Sequence, residues 1–157
     1  MEDFEKERWV EMISINRIRT SEFDVQLYMK LLPIEREALD SLQLAEKLIM
    51  EGDDRFRRQA LICLDNSVEL LLKGFLVRRG LPKCEINRIG RFHQLLRTCI
   101  KLGLKLDDID QKNLLELHMI RNDLYHGKRL LVPTLRDLRI WIEFVKSLVL
   151  STLAIER

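Results

Sequence analysis

Between residues 121 and 126 the chain sets a guanidinium, a carboxamide and an imidazole close together, in the order Arg121-Asn122-Asp123-Leu124-Tyr125-His126, with Lys128 and Arg129 just beyond. Arginine carries a planar fork of donors that suits phosphate or carboxylate. Histidine, with a reference pKa of about 6.5, exchanges protons near neutrality and serves as general acid or general base. On a helix advancing about 100° per residue, Leu114, Leu117, Ile120, Leu124 and Tyr125 share an arc of about 140°, the expected core face, and Arg121 projects near its middle. A buried guanidinium does not shed its proton and costs several kcal/mol if unpaired, so Arg121 needs an acceptor or a charged ligand. Asn122 and His126, four apart, lie on another edge about 100° or more away, alongside Leu115 and Met119. Arg121 and His126 therefore diverge on a straight helix. They meet one substrate only if the helix loosens near Gly127, or if they come from different copies of the chain.

An acceptor for Arg121 is available on the most apolar stretch, which runs from about Asp54 to Arg79. Ala60, Leu61, Leu64, Val68, Leu71, Leu72 and Phe75 form a wide face, and Ile62, Leu70, Leu76 and Val77 extend it nearly all round, the pattern of a helix at the centre of a bundle. Inlaid in it are Asp65, Asn66, Glu69 and Lys73. Two readings stand: a solvated strip with a local Glu69 to Lys73 pair, or a carboxylate, Asp65 or Glu69, facing Arg121 from the neighbouring helix and holding its fork.

The remaining elements must carry and frame these two helices. Residues 4 to 31 hold Phe4, Trp9, Val10, Ile13, Phe23, Val25 and Leu27 in one or two helices, with a break near Thr20 and Ser21 as a cap. They either cover the bundle or pair the chain with itself. Pro33 opens a helix reaching about Met50, Gly52-Asp53-Asp54 makes a turn, and Gly80-Leu81-Pro82 ends the apolar helix. Lys83 to Gly90 reads as a basic connecting loop, and Phe92 to Gly103 as a short helix with a surface His93 at its start. Asp107 and Asp108 cap the helix bearing the motif. Gly127 to Pro133 interrupts the pattern, and Thr134 caps a last helix from Leu135 to Leu150. The expected fold is all-α: an antiparallel helical bundle of four main helices over residues 33–157, with an N-terminal helical extension over residues 1–32.

Composition narrows the function classes. The 157 residues are 46% hydrophobic and 33% charged, with three prolines and six glycines, which suits one mainly helical domain with a proper core. A net charge of +2 provides no general attraction to nucleic acid, leaving that to local patches. Cys63, Cys84 and Cys99 show no metal-ligand spacing and read as reduced thiols of a cytoplasmic protein. No Gly-rich phosphate loop or histidine-acid metal cluster occurs, so no metal and no other cofactor is expected. The charged start, Met1 to Arg8, does not suit a secretory signal, and Ile140 to Ala154 is too short and too charged to span a membrane.

Arg121, Asn122 and His126 resemble the Arg-Asn-x-x-x-His signature of HEPN domains (higher eukaryotes and prokaryotes nucleotide-binding). The setting is similar too: the motif ends a late helix after Leu114 to Ile120, and Asp65 to Lys73 resembles the family's long helix with its acidic residue and following lysine. The resemblance covers about residues 35–155. It implies a helical bundle, frequent homodimerisation that joins two motifs, and in many members metal-independent endoribonuclease activity. Carried onto this chain, Arg121 and His126 become the catalytic pair and Asn122 an orienting residue, with Asp65 or Glu69 supporting them. Tyr125, Lys128 and Arg129 then flank the RNA. Some members are toxins controlled by a nucleotidyltransferase antitoxin that modifies a tyrosine two residues after the histidine. That position is Lys128 here, and Tyr125 precedes His126, so the chain departs from the pattern. Other members bind nucleotides or act as adaptors without cleaving. The sequence thus supports either an RNA-cleaving homodimer, in which two copies provide the two imidazoles that acid and base catalysis require, or a non-catalytic module in which Arg121 is structural.

Overall fold

The computed structural model describes residues 29–128 and 132–153, and the expectations for residues 4–28 and for Arg129 lie outside them. Among the described residues there are six helices and no strand: α1 (Pro33–Glu51), α2 (Asp54–Arg78), α3 (Lys83–Arg88), α4 (Phe92–Lys101), α5 (Asp108–Tyr125) and α6 (Leu135–Leu153). Four of them, α1, α2, α5 and α6, are long, and together they make a helical bundle. None is long and apolar enough to cross a membrane.

Helix α2 is the hub, packing against α1 most extensively and also against α3, α4, α5 and α6. Its near all-round apolar surface explains the position, since each flank has a neighbour to bury it. Leu61, Leu64, Leu71, Leu72 and Leu76 are fully buried, and each such side chain contributes about 1.5–3 kcal/mol of transfer free energy. Only Gly52 and Asp53 separate α1 from α2, which forces an antiparallel pair. The pair is tight at Gly74, where an added Cβ would lie 3.0 Å from Glu35 Cγ. Ser67 Oγ donates to the Ala38 carbonyl at 2.8 Å across the same seam.

Caps set the helix boundaries. Asp53 accepts from Arg55 N–H at 2.7 Å at the start of α2. Thr134 and Asp137 exchange side-chain to backbone bonds at 3.2 and 3.3 Å at the start of α6, a reciprocal cap. The expected loop after Pro82 is a correction: Lys83–Arg88 is a helix, anchored by Ile86, the one residue of its turn and a half that is buried. Six residues are too few to show an apolar periodicity, so that stretch reads as loop in the sequence. Cys63, Cys84 and Cys99 are free thiols. Cys99 donates to the Leu72 carbonyl at 3.3 Å, and burial pushes its pKa up to about 12.

Two buried carboxylates tie helices together away from the motif. Glu35 accepts from Arg78 through both oxygens, at 2.6 and 2.7 Å, joining the start of α1 to the end of α2. Glu46, 2% exposed, has Lys146 Nζ of α6 at 2.8 Å from Oε1, and Lys146 is shared with Glu143 at 3.2 Å. Burial, only partly opposed by Lys146, holds the Glu46 carboxyl above its ordinary 4.5. A raised carboxyl favours the folded state at low pH, and that advantage fades as pH climbs past the unfolded value. Lys146→Met removes the counter-charge, so Glu46 must keep its proton or stand as an unpaired buried anion. The variant is expected to lose little relative to wild type near pH 4 and about 3 kcal/mol near pH 8. Urea denaturation at the two pH values checks this, and an equal loss at both would contradict it.

Candidate functional site

Helix α5 carries the motif, and both its ends are fixed locally. At the start, Asp107 accepts from Asp110 N–H at 2.8 Å, and Asp108 and Asp110 complement the helix dipole. At the other end Gly127 takes φ 69°, a left-handed value that costs glycine little. Gly127 N–H then donates to the Leu124 carbonyl at 3.3 Å and Lys128 N–H to the Asp123 carbonyl at 2.8 Å, the paired bonds of a Schellman closure. The helix therefore stops at Tyr125 and leaves His126 as its cap, with N–H donating to the Asn122 carbonyl at 2.9 Å.

Leu114, Leu117, Ile120 and Leu124 form the buried face of α5, as their spacing predicts. Tyr125 does not join them. At 73% exposed it lies at the rim of the apolar arc, one residue past the last buried position, and its ring meets the His126 ring edge-on at 5.3 Å.

Arg121 sits on the inner side of α5 with its side chain 23% exposed. Its Nε lies 3.0 Å from Asp65 Oδ2 of α2, but the N–H is not aimed well enough at the oxygen to count as a hydrogen bond. The contact is chiefly one of charge with charge. Nη1 donates to Asn122 Oδ1 at 2.7 Å. Of the two carboxylates expected for this role, Asp65 fills it. Glu69 is a correction: it pairs with Lys73 at 2.7 Å on its own helix, one turn past Asp65, and does not reach Arg121. The solvated-strip reading fails for Asp65, which is 0% exposed, and holds for Asn66.

A second group on Asp65 has no part in the sequence motif. His118 Nδ1 stands 3.0 and 3.1 Å from the two Asp65 oxygens, and His118 Nε2 lies 3.1 Å from Asn122 Nδ2. The ring stacks on Phe92 of α4, with centroids 4.3 Å apart and planes at 11°. Asp65, His118, Asn122 and Arg121 thus form a closed ring of four side chains between α2 and α5. The signal for His118 was in the sequence: it is three residues before Arg121 and four before Asn122, the spacings that share a helix edge.

His126 and Lys128 are exposed at the helix end, and so is His93 on α4. Among the described residues no hydrogen bond or ion pair joins His126 to Arg121, and no group of three or more His, Cys, Asp or Glu side chains could hold a metal ion. Within one copy, then, the structure joins Arg121, Asn122 and Asp65 and leaves His126 apart from them. Comparison with protein-family models, with curated proteins and with solved structures finds no match.

Asp65 and Glu69 differ sharply in what their loss should do. Asp65→Asn removes the charge that compensates a largely buried guanidinium and is expected to cost about 3 kcal/mol. Glu69→Gln breaks a half-exposed pair within one helix and should cost under about 1 kcal/mol. Equilibrium urea unfolding of both variants measures the contrast, and losses of equal size would contradict the assignment of Asp65 as the buried anchor.

Proposed function

We propose that the chain is a HEPN-like, metal-independent endoribonuclease that works as a homodimer. The observation that carries this reading is the state of the Arg121 fork. Asp65 stands beside Nε as a counter-charge, Asn122 accepts from Nη1, no described residue takes up Nη2, and the side chain keeps 23% of its surface. What remains is an oriented cationic edge suited to an anionic oxygen. The exposed His126 and Lys128 stand at the end of the same helix, with Tyr125 beside them. The Arg-Asn-x-x-x-His resemblance and the helical bundle point the same way.

The chemistry needs no outside nucleophile. One His126 imidazole takes the proton of an RNA 2′-OH, the freed oxygen attacks phosphorus, and Arg121 bears the charge gathering on the equatorial oxygens. The 5′-oxygen leaves with a proton from a second imidazole, so the fragments end in a 2′,3′-cyclic phosphate and a 5′-OH. His118 is unsuited to that second role, because both its nitrogens are engaged within the ring of side chains. A two-fold axis that brings His126 of a second copy to the same cleft provides it. Lys128 then steers the flanking backbone. In a toxin setting, a nucleotidyltransferase-type antitoxin would need an acceptor other than a tyrosine at residue 128.

The purified chain should cut single-stranded RNA in the presence of EDTA and leave cyclic phosphate ends. His126→Ala should lower the rate by about 100-fold or more with an unchanged thermal midpoint, since the ring is exposed. Equal cutting by wild type and variant would remove this reading. The Asp65 to Arg121 pair also favours a second one, a dimeric nucleotide-binding or adaptor module in which Arg121 only holds α5 on α2. Nucleotide binding without cleavage, insensitive to His126→Ala, would decide for it.

A further inference from the structure

We propose that His118 is a positioning residue: through the Asn122 amide it fixes which edge of the Arg121 fork is left free, an inference that rests on reading Arg121 as the ligand-binding cation. The argument starts from arginine, whose guanidinium has donors and no acceptor. The Asn122 atom 2.7 Å from Nη1 must therefore be the amide oxygen, which turns the amide nitrogen toward His118. An amide NH2 only donates, so His118 Nε2 must accept from it. The ring proton is then on Nδ1, which faces the Asp65 carboxylate at 3.0 Å. Asp65 accepts from that ring nitrogen and meets Arg121 Nε by charge, without a hydrogen bond.

Every link runs in one direction, from Arg121 to Asn122, from Asn122 to His118 and from His118 to Asp65. Reversing either of the first two sets two donors face to face, and reversing the third sets the bare Nδ1 against the carboxylate, two acceptors. Phe92, stacked on the imidazole, holds its plane. With no acceptor at the Nε2 position, the Asn122 amide is free to turn, its NH2 meets Nη1, and the guanidinium loses one of its two tethers. His118 touches no ligand in this scheme. It acts on the reaction only by aiming Arg121.

The test uses the full chain in three forms: wild type, His118→Phe, which stacks on Phe92 without an acceptor, and His118→Gln, which keeps an acceptor at the distance of Nε2. In wild type, nitrogen-15 NMR of the imidazole should find the proton on Nδ1 and a lone pair on Nε2. The opposite tautomer overturns the proposal. In the cleavage assay, His118→Phe should lose roughly 10- to 100-fold in rate through a misaimed Arg121, and His118→Gln should recover most of it. Equal loss in both variants, or loss in neither, contradicts the positioning role. If wild type cuts no RNA, the nuclease reading falls by itself, and the positioning claim is read from Arg121 side-chain NMR. Separate Nη signals are then expected in wild type and His118→Gln, merging in His118→Phe, and unchanged signals there sink the claim. Should His118→Phe fail to fold, His118→Asn replaces it, since it retains a donor for Asp65 but is too short to accept from Asn122.

Discussion

A carboxylate at the centre of a helical bundle loses its water, at a cost of several kcal/mol that only well-placed donors and positive charge can offset. Asp65, 0% exposed on the hub helix α2, is in that position, and its needs dictate what surrounds it. Arg121 supplies charge and His118 a ring nitrogen, both from α5, while Asn122 joins the two. The same demand keeps α5 in one register on α2, because a slip of one residue would carry Arg121 and His118 about 100° away from the carboxylate. Leucine contacts alone tolerate such shifts far better, being non-directional.

Asp65 is one of three buried carboxylates among the described residues, and each pins a different pair of helices. Glu35 joins α1 to α2 through Arg78, Glu46 joins α1 to α6 through Lys146, and Asp65 joins α2 to α5. The Asp65 network draws two side chains of one helix, Arg121 and His118, onto a single carboxylate and links them through the Asn122 amide. Glu35 is instead matched by both its oxygens to Arg78 and also accepts from Leu32 N–H.

Much of this arrangement was legible from residue types and spacing. The helix boundaries followed from caps and breakers such as Pro33, Asp53, Asp107 and Thr134, whose chemistry acts within a few residues. The oddity of Arg121 on an apolar face called for a carboxylate, and the polar inlay of α2 offered two. Choosing Asp65 over Glu69 required the rotation of one helix against another, which no local pattern encodes. Tyr125, at the rim of the apolar arc, is exposed because helical periodicity marks a face but not how far burial extends round it. The spacing of His118 from Arg121 and Asn122 is local, but its role depends on a partner 53 positions away in the chain. Helix α3 was too short to announce itself.

The aim of the Arg121 fork depends on its coupling to Asp65. A double-mutant cycle with Asp65→Asn, Arg121→Met and the double variant, read by equilibrium urea unfolding, isolates that coupling from the cost of each change alone. An interaction energy of about 2 kcal/mol or more is expected, near the upper end for side chains in one network. A value under about 0.5 kcal/mol, as for independent sites, would mean that the two groups do not depend on each other, and the oriented fork would lose its physical basis.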